Sequence, residues 1–386
     1  FSGELTLEGR GFDKQSVSVN SKGNIEKVVL RGNLLENINI EGSSNSDGFV
    51  GNISFKDTMT DIHLGVDAII ENNVFKYSMV YNIQEKDITR FISDSLEAIE
   101  VNCTGIANGL GDNIEDLQFY AEFDSLVFTR LGQSLNYNNS LIELAKLKNY
   151  KQLSIQSELA SGYANGELNK KAILDLVSQL APKNPWINIH KTDAESQLSF
   201  DLRMGDGRLA SWLTNDKVYW AEGTYLSGKI NEATGKSEVL LKSDYLYFEP
   251  IKISGINAFV DKINDKIASN VYLKSIAIDS FKLKEIALES VVNDEMVNWT
   301  FNTYNNFLNY VESEGNVSFM DSAIVLEVEK ITGQLSGQKL NLQYPFLTEM
   351  NSDSVYLSSL FLSVDSAILF VEKALYANNQ LDYINA

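Results

Sequence analysis

Phe49, Gly51, Ile53 and Phe55 occupy one parity of a short run, and Val50, Asn52, Ser54 and Lys56 occupy the other. After the polar break Lys56-Asp57-Thr58, the residues Ile62, Leu64, Val66 and Ala68 again share one parity, against Asp61, His63, Gly65 and Asp67. Side chains of a strand point alternately to opposite faces, so this period of two reads as a hairpin with one apolar and one wet face. A helix turns about 3.6 residues per cycle and cannot gather such a pattern into one stripe. The chain is therefore expected to be all-β.

The same device recurs along the chain. Leu5 and Leu7 open a first strand, and Leu34, Ile38 and Ile40 share a parity in the next clear run. Phe75, Tyr77, Met79 and Tyr81 follow, then Leu117, Phe119, Ala121 and Phe123, with Leu153, Ile155 and Leu159 in phase further on. Later come Leu198, Phe200, Leu202 and Met204; runs at 218–226, 238–248, 271–281 and 283–289; Val297, Trp299 and Phe301; and Ile324, Leu326 and Val328. Turn residues fall about every 10 positions, the cadence of a meander. Three stretches read as helical. Residues 87–95 have Asp87 as N-cap. Residues 169–180 carry Ile173, Leu176, Val177 and Leu180 as a stripe between Asn169 and Pro182, and residues 363–376 carry Ile368, Val371 and Leu375 on one face. Gly105 to Gly111 reads as a loop. The domain expectation is β repeats over 1–168, a helical insertion over 169–182, further β repeats over 183–350, and a C-terminal strand and helix over 351–386.

Among 386 residues the formal net charge is -20 and the pI near 4.6. Nucleic-acid binding needs a basic surface, and docking on an anionic membrane needs a polybasic patch, so neither is expected. Acidity of this degree keeps a long sheet soluble and its edges apart. Cys103 is the only cysteine, which excludes an internal disulfide. No apolar run approaches the roughly 18 residues of a membrane-crossing helix. The chain starts at Phe1 in mid-pattern, and is expected to be a piece of something longer.

Catalytic chemistry is hard to assemble from these residues. His63 and His190 are the two histidines, and with one cysteine they do not make a usual zinc site. There is no P-loop, dinucleotide fingerprint or nucleophile elbow. Asn45-Ser46-Asp47-Gly48 has the outline of a calcium loop but lacks its first Asp and final Glu. Neither an enzyme nor a cofactor or metal is expected.

An apolar parity repeated over about 25 strands has to be hidden, because open sheets beyond ~10 strands curl or split. Several sandwiches with closed cores would do this, giving a non-enzymatic scaffold or adhesin. A polysaccharide-active β-solenoid enzyme is a third reading. A single sheet folded with its apolar face inward would instead make a long trough. Its lining would be Ile53, Phe55, Ile62, Leu64, Phe75, Tyr77, Phe119, Phe123, Phe200, Leu202, Trp299, Phe301 and Leu326.

Three stretches carry a resemblance to a known family: residues 30–68, Asp87-Ile88-Thr89-Arg90-Phe91, and residues 157–168. In their order and cadence they resemble the TamB family, the long AsmA-like proteins of the diderm envelope. The resemblance implies an elongated, curled antiparallel sheet (a β-taco) with a hydrophobic groove and a few short helices. It also implies a periplasmic location, anchored to the inner membrane in the full-length protein, and passive carriage of phospholipid acyl chains between inner and outer membranes. An outer-membrane β-barrel of the Omp family and other envelope subunits are the implied partners in outer-membrane protein assembly.

Overall fold

The computed structural model describes residues 2–10, 18–30, 33–71, 74–91, 96–111, 117–147, 150–166, 197–231, 234–263, 266–279, 281–293, 296–304, 310–320, 323–351, 354–377 and 380–385. Those residues form 27 strands, one six-residue α-helix and one 3-10 turn. Hydrogen bonding joins the strands in one antiparallel sheet. The chain divides into two compact units, Phe1–Asn165 with Leu202–Glu222, and Gly166–Asp201 with Gly223–Ala386.

The first unit opens with β1 (Ser2–Arg10), β2 (Ser18–Leu30), β3 (Asn33–Asn45), β4 (Gly48–Lys56), β5 (Thr60–Glu71) and β6 (Val74–Glu85). The 3-10 turn Ile88–Phe91 leads to β7 (Glu100–Leu110), β8 (Gln118–Arg130), β9 (Gln133–Asn136), β10 (Ser140–Leu147), β11 (Tyr150–Gln156) and β12 (Ala160–Gly166). From β1 to β8 every strand pairs with its neighbour in sequence. β8 then pairs with β9 at one end and β10 at the other, and β10 with β11.

β13 (Gln197–Met204) crosses the division between the units. The first unit then gains α1 (Arg208–Leu213) and β14 (Val218–Trp220). The second unit runs through β15 (Tyr225–Asn231), β16 (Lys236–Phe248), β17 (Ile251–Ile263), β18 (Lys266–Ile278), β19 (Phe281–Asn293), β20 (Met296–Tyr304), β21 (Tyr310–Phe319) and β22 (Ile324–Leu335), each paired with the next. β22 is met at one end by β23 (Gln338–Leu342) and at the other by β24 (Phe346–Met350). Both pair with β25 (Ser354–Val364), which continues into β26 (Ala367–Ala377) and β27 (Gln380–Asn385).

The hairpin read from residues 49–68 is β4–β5, with Phe49 opposite Ala68, Gly51 opposite Val66, Ile53 opposite Leu64 and Phe55 opposite Ile62. Asp57 builds the turn, its carboxylate accepting the backbone N–H of Met59 and of Thr60. Asp87 caps a short turn as expected, accepting the Thr89 N–H at 3.0 Å, although the turn is 3-10. Four expectations are corrected. Residues 363–376 are not a helix: they hold the end of β25, a turn at Asp365-Ser366 and β26, with Phe361 opposite Phe370 and Leu362 opposite Leu369. The spacing of Ile368, Val371 and Leu375 fits a helix, but Asp365 at φ 46 turns the chain and bonds back to Lys339 in both directions, at 2.8 Å. Gly105 to Gly111 is not a loop; most of it is β7, whose glycines lie beneath tyrosines of β6. The run 218–226 is broken into β14 and the start of β15, and the run 271–281 ends at Ile278. The helix expected over 169–180 lies outside the described residues.

Candidate functional site

Directly paired residues of an antiparallel ladder present their side chains to the same face, so register shows which apolar residues belong together. In the first unit one row crosses ten strands, β1 to β8 and then β10 and β11: Leu7, Ser21, Gly42, Gly51, Val66, Met79, Ala107, Ala121, Ile142 and Ile155. A parallel row brings together Ile40, Ile53, Leu64, Tyr81, Gly105 and Phe123. Another holds Ala68, Tyr77, Gly109, Phe119, Leu144 and Leu153. Ile53, Phe55, Ile62, Leu64, Phe75, Tyr77, Phe119 and Phe123, all named from alternation, therefore share one face. Phe55 is 5% exposed, Phe75 40%, and the other six are half-buried.

In the second unit a row runs Gly228, Val239, Val260, Ser269, Ser290, Trp299, Gly315, Val328 and Phe346. Phe301 belongs to the next row, with Leu288 and Ser313, and Leu326 to another with Val317. Phe200 lies over Gly228, where a Cβ would meet its ring at 2.7 Å. Leu202 shares the parity of Phe200 on β13, and all five of these residues are half-buried.

Aromatic side chains occupy the space that a side chain would take at several glycines of facing strands. Tyr81 covers Gly105, Tyr77 covers Gly109, Phe49 covers Gly42 and Gly51, and Trp299 covers Gly315. A side chain at any of these glycines would displace the ring. The Tyr81 hydroxyl donates to the Glu122 carbonyl at 2.9 Å, and its ring meets Phe123 edge-on at 5.8 Å. Burial pushes the Tyr81 hydroxyl well above the usual phenol range, and pushes the neighbouring Cys103 thiol up to about 11.

Alternation is not kept by counting alone. On β8 the apolar parity changes from Phe119, Ala121 and Phe123 to Leu126 and Phe128 where the register slips, placing Asp124 as an exposed extra residue. In the second unit the parity changes on four successive strands at one level, set by Asp244, Gly255, Lys274 and Glu285. Gly255 and Glu285 have φ of 58 and 47, a left-handed backbone that breaks the two-residue repeat. On β17, for example, Ile256, Ala258 and Val260 give way to Ile253 and Ile251.

One end of the first unit's face is sealed. Ile99, Leu135, Tyr137, Leu209 and Trp212 form a closed cluster, with Leu126 and Phe128 of the sheet packed against it. The Arg130 guanidinium, itself buried, ties this cover down through Glu97 Oε2 at 2.7 Å and Asp216 Oδ1 at 3.2 Å. Burial alone would lower the Arg130 pKa, but the hydrogen bonds to both carboxylates raise it. At the same end Thr60 Oγ1 donates to Glu85 Oε2 at 2.6 Å, and Arg90 Nη2 pairs with the same carboxylate oxygen at 2.9 Å. Reading by alternation missed α1. Its signal was Leu209, Trp212 and Leu213 at helical spacing after Asp206-Gly207.

His63 is exposed on the wet parity, 2.9 Å from Asp61 Oδ1, and His190 lies outside the described residues. Asn45 Oδ1 accepts the N–H groups of Asp47 and Gly48, an Asx turn in the loop compared above with a calcium site. A cavity of about 560 Å³ opens across β1 to β4, but Glu8, Asn20, Lys22, Glu41 and Asn52 of the wet parity line it. Among the described residues no helix is long and apolar enough to cross a membrane, and no cluster of histidine, cysteine and carboxylates is arranged for a metal. Comparison with protein-family models, with curated proteins and with solved structures finds no match.

Proposed function

We propose that this chain is a non-enzymatic carrier of lipid acyl chains, which lie against the apolar face of a curled β-taco sheet and pass along it without a chemical step. The observation that carries the reading is a face whose rows run in register across ten strands and which, among the described residues, is closed at one end by the Trp212 cluster. Elsewhere Ile53, Leu64, Tyr77, Phe119 and Phe123 remain half-buried, a state that an apolar occupant would complete. Each buried CH₂ contributes about 0.8 kcal/mol, so an acyl chain is held without directional bonds.

The resemblance to the TamB family extends the proposal to phospholipid moving between inner and outer membranes through the periplasm, with an outer-membrane barrel as a partner. Pairing of successive strands within each unit weighs against stacked sandwiches, which would need separate sheets. The test is mass spectrometry of organic extracts from the gently purified chain. Stoichiometric lipid is expected, and it should be lost in Phe200→Asp, whose charge would enter the row over Gly228. A well-folded, lipid-free monomer would overturn the proposal.

A further inference from the structure

The first unit's apolar face is covered unevenly along the strand direction. On the β5–β6 hairpin the paired Thr60 and Glu85 are buried at one end, whereas at the other Ile70 opposite Phe75 and Glu71 opposite Val74 are exposed. Register carried through β7 and β8 puts the Leu147–Tyr150 pair of β10 and β11 at the same end of the sheet. Three strand spacings, about 14 Å, separate β6 from β10. Ile69, Ile70, Val74, Phe75, Leu147 and Tyr150 are 37% to 55% exposed there, while at the sealed end Leu131 is exposed singly. Single apolar residues on a surface are ordinary, but a group of them marks an interaction site.

Parity divides the group. Ile70 and Phe75 continue the apolar face beyond Ala68 and Tyr77. Ile69 is registered with Lys76, Val74 shares the parity of Lys76 and Ser78, and Leu147 and Tyr150 share that of Glu143 and Ser154, so these four belong to the wet face. An acyl chain lying on the apolar face would cover the first two and leave the other four in water. A surface that closes round the strand ends from both sides covers them all. Charge at the β5–β6 end adds no net sign, because the Lys76 ammonium pairs with the Glu71 carboxylate. An uncharged lipid bilayer meets these demands: its hydrocarbon receives apolar side chains from every direction, and its headgroup layer suits the amphipathic ring of Tyr150. A bilayer of anionic lipid would repel a chain of net charge -20.

We propose that these two hairpin ends dip into the surface of an uncharged bilayer, so that lipid passes from it onto the apolar face without crossing water. This rests on the lipid-carrying function proposed above, and it adds where the lipid enters. Ile70 and Phe75 form the threshold, being part of the face and of the immersed ends at once.

The 386-residue chain and its I69S/V74S/L147S/Y150S variant are mixed with phosphatidylcholine vesicles, sedimented with them, and re-isolated for lipid quantification. All four substitutions are at exposed positions of the wet parity, so the apolar face is untouched and the urea midpoint should hold. The natural chain should co-sediment with the vesicles equally in low and high salt, because apolar insertion is not screened. The variant's partitioning should fall about a hundredfold, roughly threefold for each partly exposed side chain replaced. Its lipid load from vesicles should fall as well, whereas both proteins should take up monomeric dihexanoyl phosphatidylcholine alike. Should the fourfold variant unfold, I69S/V74S alone, with an expected loss of about tenfold, answers the same question.

Partitioning that is absent in the natural chain, or kept by the variant, would overturn the bilayer contact, and uptake of the monomeric lipid would leave the carrier function standing. No lipid taken from either source would overturn the carrier function, and the passage of lipid with it, whatever the partitioning. Sedimentation velocity supplies the last arm. Self-association that the variant loses, without partitioning into vesicles, would assign the strand ends to a second copy of the chain and overturn the bilayer.

Discussion

Gly105→Ala should cost far more than one methyl group ordinarily does. A Cβ at Gly105 would stand 2.0 Å from the Glu122 carbonyl oxygen and 2.6 Å from the Tyr81 hydroxyl. The first contact is backbone, so the β7–β8 ladder must open by more than an ångström or the methyl group cannot be placed. Overpacking of this kind costs about 1–3 kcal/mol. If Tyr81 is pushed aside, its 2.9 Å hydrogen bond to Glu122 goes too, at roughly 1 kcal/mol, with its edge-on contact to Phe123 at about another 1 kcal/mol. The expected loss is therefore about 3–5 kcal/mol. Gly65→Ala is the matched control, since the nearest atom to its Cβ is the Asn52 side-chain oxygen at 3.5 Å. There alanine should be neutral or stabilise by up to about 1 kcal/mol, through reduced freedom of the unfolded chain. Urea titrations followed by circular dichroism measure both. A Gly105→Ala loss below about 1 kcal/mol, or equal losses at the two sites, would refute the ring-on-glycine packing.

Removing one partner of the Glu85–Arg90 pair should be costly. Glu85→Gln takes the negative charge away from the largely buried Arg90 guanidinium and should destabilise by about 3 kcal/mol, whereas Glu85→Leu with Arg90→Leu should recover most of it. The Asp216 carboxyl is held below its ordinary 3.8 chiefly by the Ser211 hydroxyl; burial, next in weight, opposes this, and Arg130 adds to the lowering. Its stabilising effect is thus present above the ordinary carboxylate value and lost as pH falls through the lowered one. Asp216→Asn should lower stability near neutrality by about 1 kcal/mol or less, since the side chain is 65% exposed, and the gap should close in acid. With its thiol pushed up to about 11, Cys103 should resist alkylation at pH 8 in the folded protein and react readily once urea unfolds it. Labelling followed by mass spectrometry gives both rates.

Where backbone geometry is regular, alternation was enough to read contacts as well as strands. Ile53 opposite Leu64 follows from parity once the turn at Asp57 is placed, and Trp299 and Phe301 face the same way for the same reason. Reading failed where a residue departs from extended geometry. Nothing in its residue type marks Glu285 as left-handed, nor Asp124 as the extra residue of a bulge, since both look like ordinary wet-parity acids. Asp365 hid a hairpin inside an apparent helical stripe, because a turn can begin with a carboxylate that also caps helices. The cover formed by α1 escaped notice because six residues make too short a period to register against a background of strands. The uneven cover of the first face was hidden too, since burial depends on partners far apart in sequence.

Successive pairing within each unit also bears on how such a chain can change its length. The strands alternate in direction, so excising β17 and β18 together, residues 251–278, would return β16 to a neighbour of the correct polarity in β19. Val239 would then face Ser290, which already stands in its row, and the crease at Asp244 would meet the crease at Glu285. A sheet with this wiring tolerates loss or duplication of whole hairpins, whereas loss of a single strand inverts every polarity beyond it.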